Sequence, residues 1–146
     1  MAIAHAMWTH GHTLQVEIPQ NGTVERRGFS SKYISSGPQK PNWLHFAVPT
    51  PVLVNDKRLR AGTALVRFRS GTGGFVKAIH VYDGEKKVAA KDGLNLNHPQ
   101  WQLVRVDVPG NPVMLWSLGI SILVDFGADE RWVEFSAAGC DFLQPL

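Results

Sequence analysis

Leu118-Gly119-Ile120-Ser121-Ile122-Leu123-Val124-Asp125-Phe126 is the strongest apolar run of the chain and shows no helical period. β-Branched and long aliphatic side chains, closed by the turn signal Gly127-Ala128-Asp129-Glu130, predict a strand here, with Asp125 on its outward side. The same logic recurs in both directions. Downstream, Arg131 to Phe135 reads as a last strand that continues past Gly139 toward Phe142. Upstream, Val104, Val106 and Val108 oppose Trp101, Leu103, Arg105 and Asp107, and Pro109-Gly110 then turns the chain. Phe75 to Tyr82 and Lys86 to Ala90 flank Asp83-Gly84 as a hairpin. Ala64, Val66 and Phe68 oppose Leu65, Arg67 and Arg69, while Leu44, Phe46 and Val48 oppose Trp43, His45 and Ala47. Leu14, Val16 and Ile18 alternate before the Pro19-Gln20-Asn21-Gly22 turn. Gly28 to Pro41 has no clear period and reads as an extended loop, with a short strand around Tyr33.

Fourteen glycines and nine prolines punctuate these runs along the whole length, which leaves no room for helical crossovers. An antiparallel arrangement is therefore expected over a parallel one. The prediction is an all-β, antiparallel two-sheet sandwich, jelly-roll-like, of about eight to ten strands, forming a single domain over residues 1–146. A chain of 146 residues that is 44% hydrophobic closes one such core without disulfides or metals.

Charge is modest. Fifteen basic against twelve acidic residues give a net charge of +3, and the cations sit in separated pairs at Arg26-Arg27, Lys57-Arg58 and Lys86-Lys87. Such pairs blunt strand edges and aid solubility, so no nucleic-acid partner is expected. Cys140 is the sole cysteine, which rules out an internal disulfide and fits a small buried hydrophobe in a reducing compartment. No basic and apolar leader is evident at the N-terminus, and the longest nearly apolar stretch, Val113 to Val124, is short of a membrane span. A cytoplasmic protein without a membrane partner is the expectation. Asn21-Gly22-Thr23 matches a glycosylation sequon but reads as a turn.

Function is sought on the outward positions. If each strand turns its purer apolar set inward, Trp43, His45, Arg67, Arg69, His80, Tyr82, Trp101, Arg105, Asp107, Asp125, Trp132 and Glu134 all face outward. Aromatic rings beside Arg and Asp groups suit a carbohydrate or other small amphiphile, since rings stack on C–H faces and the polar groups address hydroxyls or anions. A non-catalytic binding module using Trp43, His45, Arg67, Arg69, His80, Tyr82, Trp101, Arg105 and Asp125, with no cofactor, is thus expected. The phase of Phe75 to Tyr82 is ambiguous: Ile79 and Val81 favour one inward face, Val76 and Ala78 the other, and His80 then reads as a hydrogen-bonded core histidine. Exposed aromatics also allow a homo-oligomer. Asp125 and Glu134 stand on adjacent expected strands, where a carboxylate pair would suit glycoside hydrolysis. Gly-x-Ser-x-Gly, phosphate-loop and His-Glu-x-x-His motifs are absent.

Two resemblances add to this. His10-Gly11-His12 followed by Glu17 resembles, over residues 10–17, the metal-binding motif of the cupins, which are also jelly rolls. That resemblance implies a divalent-metal enzyme with His10, His12 and Glu17 as ligands, and His45 as a candidate fourth, as the alternative to a binding module. His5-Ala6-Met7-Trp8, Asn42 to Pro51, Gly119-Ile120-Ser121-Ile122 and Asp125-Phe126-Gly127 are similar to small uncharacterised bacterial proteins. This second resemblance implies a bacterial single-domain β protein and transfers no site.

Overall fold

The computed structural model describes residues 2–146. Its strands are β1 (Ile3–His10), β2 (Gln15–Val16), β3 (Gly22–Arg27), β4 (Ser30–Ser35), β5 (Asn42–Val48), β6 (Leu53–Val54), β7 (Lys57–Arg58), β8 (Arg60–Ser70), β9 (Gly74–Asp83), β10 (Lys86–Lys91), β11 (Gln102–Asp107), β12 (Leu118–Phe126) and β13 (Trp132–Leu143). One sheet has the order β11-β8-β13-β4-β3, with β1 also on β13. The other runs β10-β9-β12-β5-β2, and β6 and β7 form a separate short ribbon. All these strand pairings are antiparallel, so the chain is an antiparallel two-sheet β-sandwich. No helix among the described residues is long and apolar enough to cross a membrane.

Period-two alternation builds the core. Leu118, Ile120, Ile122, Val124 and Phe126 of β12 and Leu44, Phe46 and Val48 of β5 are buried against Phe68 of β8 and Val133, Phe135, Cys140 and Phe142 of β13. Phe46 meets Phe135 edge-on with ring centroids 5.5 Å apart, joining the two sheets at the centre. A buried amide closes one end: Asn42 accepts from the Ile18 N–H and donates to both the Ile18 carbonyl and the Tyr33 hydroxyl, at 2.9–3.0 Å.

The ambiguous phase of β9 has a physical cause. Its register against β12 shifts between Leu123 and Val124, so Val76 points inward on one side of this bulge, and Ile79 and Val81 on the other. His80 consequently faces outward and is not a core histidine.

One expectation is refined. Residues 28–41 carry the strand expected around Tyr33, but it is more than a short piece: β4 spans Ser30–Ser35, forms a hairpin with β3 and pairs with β13, while 36–41 are irregular. The serines of β4 hide the signal because they are small enough for tight burial once their hydroxyls are satisfied, Ser30 by Glu134, Ser31 by Arg26 and Ser35 by the Gly37 carbonyl. The N-terminal segment, for which the sequence offers no strand signal, is strand β1; its Ala- and His-containing sequence lacks an apolar alternation, and among the described residues its strand pairing is with β13 alone.

Candidate functional site

The outward residues divide between two opposite faces. Trp43 and His45 on β5, Ser121 on β12, and His80 and Tyr82 on β9 share the outer face of the five-stranded sheet. Arg67 and Arg69 on β8, Arg105 and Asp107 on β11, Trp101 just before β11, and Trp132 and Glu134 on β13 belong to the six-stranded sheet. The single surface expected for Trp43, His45, Arg67 and Arg105 therefore does not exist. Alternation gives inside against outside but carries nothing about which sheet a strand joins, and that is where the expectation fails.

On the five-stranded sheet the central strand is small and its neighbours are large. Ser121 stands opposite both His45 and His80, and Gly119 opposite both Ala47 and Tyr82. A Cβ built on Gly119 would meet nothing nearer than the Phe46 carbonyl oxygen at 3.9 Å, so the space above the strand is open. The result is a shallow trough of about 310 Å³, lined by Glu17, Trp43, His45, His80, Tyr82, Lys87 and Ser121. The Trp43 and His80 rings lie 5.0 Å apart and bridge one end of it. A larger depression of about 420 Å³ lies around His5, Asn55, Lys57 and Gln144, mixed with Ala4, Val54, Leu59 and Pro145, and among the described residues contains no aromatic ring besides the His5 imidazole.

Both trough histidines are held by carboxylates. His45 Nε2 is 2.8 Å from Glu17 Oε1 and its Nδ1 is 2.8 Å from Ser121 Oγ. His80 Nε2 is 2.7 Å from Asp92 Oδ1. An ionised carboxylate only accepts, so a neutral imidazole keeps its proton on Nε2 in each case. His45 Nδ1 then accepts the Ser121 hydroxyl proton, which leaves the Ser121 oxygen with free lone pairs toward the trough. His80 Nδ1 is likewise an acceptor. Ser121, Lys87 and Asp92 were not expected as site residues from sequence: the serine is one polar position in an apolar strand, Lys87 reads as half of a solubilising pair, and Asp92 precedes Gly93 like any turn residue.

The remaining predicted residues lie elsewhere. Asp125 accepts from the N–H of its own neighbour Phe126 and stands opposite Phe75, away from the trough. Asp125 and Glu134 are on different sheets, so they form no glycosidase-like pair. Glu134 is fully buried, accepting from Ser30 and from Arg69 Nε at 2.8 Å. Burial alone would raise its pKa, but the Ser30 and Arg69 hydrogen bonds and the charges of Arg69 and Lys32 outweigh it, holding the carboxyl below its ordinary value. Trp132 carries the Lys32 ammonium 4.3 Å from its ring centre, and Asp107 accepts from Thr63 at 2.9 Å.

His10, His12 and Glu17 do not converge. His10 Nδ1 accepts from the His12 backbone N–H, His12 Nε2 donates to the Arg27 carbonyl, and Glu17 is engaged by His45. Gly11 lies in a short 3₁₀ turn; the two histidine rings meet with centroids 4.2 Å apart, but a nitrogen of each is engaged by a backbone group and Glu17 is turned to His45. Among the described residues no group of three or more His, Cys, Asp or Glu side chains is placed to hold a metal. The residues present thus do not fit a cupin-type metal centre.

The fold has solved counterparts. A low-affinity xylan-binding module, CBM86, from the gut symbiont Roseburia intestinalis superposes with a TM-score of 0.59 at 10% identity, covering 95% of this chain and 96% of that one. A family 35 carbohydrate-binding module from Clostridium thermocellum gives 0.55 at 10% identity, covering 94% and 98%. A Stig cyclase from Fischerella sp. TAU, solved with an indole ligand, gives 0.52 at 14% identity, covering 90% and 75%. At these identities the likeness establishes the β-sandwich and nothing further. No curated protein matches the chain at a significant level. Residues 2–138 match the model of a family of unknown function, DUF6623, and the chain belongs to that family.

Proposed function

We propose that the protein is a non-catalytic binding module whose trough on the five-stranded sheet takes a neutral carbohydrate. The observation that carries this reading is the convergence of Trp43, His80 and Tyr82 with the acceptor-rich His45–Ser121 pair around a floor of small residues. Aromatic faces cover sugar C–H groups, and the Ser121 oxygen and His80 Nδ1 accept from sugar hydroxyls. The charge balance favours a neutral ligand: within the lining the carboxylate of Glu17 offsets the ammonium of Lys87, and Asp92, outside it, is engaged by His80. The fold's likeness to modules described as carbohydrate-binding supports the same class of ligand.

Glu17, His45 and Ser121 are ordered like the relay of a serine hydrolase. Binding is favoured over hydrolysis because Ser121 sits in mid-strand, paired on both sides, where its backbone N–H belongs to the ladder and no oxyanion hole is formed.

Affinity electrophoresis through gels containing neutral xylan or a β-glucan tests the reading. Retardation of the native protein, lost in Trp43→Ala while thermal stability is kept, is the expected result. Unchanged mobility across neutral polysaccharides, or binding that survives Trp43→Ala intact, would overturn it.

A further inference from the structure

The outer face of the six-stranded sheet carries a second set of aromatic and charged groups, of opposite electrostatic character. Its centre is thin. Gly139 on β13 stands between Trp8 on β1 and Leu65 on β8, and a Cβ built on Gly139 would fall 2.6 Å from a Trp8 ring atom. The Trp8 indole therefore lies across bare backbone, reaching from β1 toward β8, and it keeps 42% of its surface in solvent. This is a supported ring with a free face.

Beside it stand two uncompensated cations. Arg67 on β8 is opposite Leu103 on β11, which makes Arg105, two residues along, its diagonal neighbour on the same face. Diagonal pairs have side-chain origins about 7–8 Å apart, within reach of two guanidinium groups closing on one anion. Both arginines are exposed, and neither side chain has an ion pair among the described residues. Arg67 rests over Trp101 at 5.6 Å. Arg69 also packs on Trp101, at 4.8 Å, but Glu134 neutralises it. Asp107, two residues beyond Arg105 on the same face, accepts from Thr63 and forms no ion pair with either arginine among the described residues.

We infer that this face is a second binding site, for an anionic polysaccharide whose sugar ring stacks on Trp8 while its acidic group is held between Arg67 and Arg105. The anion is a uronate carboxylate or a sulfate ester; both match the arginine fork. Duplex DNA is a poorer match, because two cations beside two indoles make a compact subsite and not the extended basic stripe that tracks a phosphate backbone.

The site stands independently of the trough, and the test keeps them apart. Native protein is run through gels containing polygalacturonate, dextran sulfate or neutral xylan, and titrated in parallel against duplex DNA. Retardation by polygalacturonate identifies the carboxylate, and retardation by dextran sulfate alone the sulfate ester. The double substitution Arg67→Ala, Arg105→Ala is expected to weaken anionic-glycan binding at least about tenfold, and the double Arg→Lys variant to restore it only in part. Trp8→Ala is expected to weaken it as well, and Trp43→Ala to leave it unchanged. No retardation by either anionic polymer, loss of it in Trp43→Ala, or full binding by the Arg→Lys variant with equal binding to DNA would overturn the inference.

Discussion

Glu134 has left water entirely, yet its carboxylate is held charged by Ser30, Arg69 and Lys32. Because its folded pKa lies below the unfolded one, its stabilisation is complete above the unfolded value and is lost as pH falls through the folded value. Glu134→Gln removes the charge and leaves Arg69 uncompensated, so a loss of about 1–3 kcal/mol in urea denaturation is expected at neutral pH. The gap between native and variant should narrow from roughly pH 5 downward; a gap that widens in acid would contradict the assignment. Cys140 behaves as its apolar neighbours suggest: burial pushes its thiol up to about 12, against the opposing hydrogen bond with Gly62. Ellman's reagent at roughly pH 8 should leave the native protein unlabelled and titrate one thiol only after denaturation. The small-hydrophobe role of Cys140 was legible from its being the sole cysteine, with no partner for a disulfide; the burial of Glu134 was not, since a carboxylate in an alternating strand looks like any solvent-facing residue.

Within the elements, the trough is a consequence of residue size along β12. Gly119 lies in open space at an ordinary strand position, so Gly119→Leu fills the trough without displacing backbone. Loss of neutral-glycan binding with the melting temperature unchanged or raised is the expected outcome, checked by thermal unfolding and affinity electrophoresis. The Asn42 amide has a different role, since Ile18 and Tyr33 depend on it. Asn42→Ala leaves those buried groups unpaired and should cost about 2–3 kcal/mol in chemical denaturation. Strands with clean alternation, β5 and β12, were readable from sequence, whereas β8 starts at Arg60 and buries Leu65 on its outer side beneath neighbouring side chains. Strand β4 extends beyond the short piece expected around Tyr33 because it buries serine, and β1 gives no signal because it exposes Ala and His on an edge. The phase of β9 was unreadable for a definite reason: a bulge exchanges the two faces midway, and no single alternation describes the strand.

Across the whole molecule, two faces of one sandwich present different chemistry. The five-stranded sheet offers rings and acceptors over a floor of Gly and Ser, and the six-stranded sheet offers rings and unpaired arginines. Sequence alternation identified most of these side chains as outward but merged them into one surface, because strand order across a sandwich is set by long-range pairing. The Glu17–His45 contact was equally hidden, as it joins residues brought together only when β2 pairs with β5. The most direct measurement is backbone and side-chain NMR of the protein titrated with a neutral xylo- or gluco-oligosaccharide. The account predicts shifts centred on Gly119, Ser121, His45, His80, Tyr82 and the Trp43 indole, with Trp8 and Trp101 unmoved. Shifts centred on the six-stranded face, on the exposed Leu115-Trp116 loop, or nowhere at saturating ligand would contradict it.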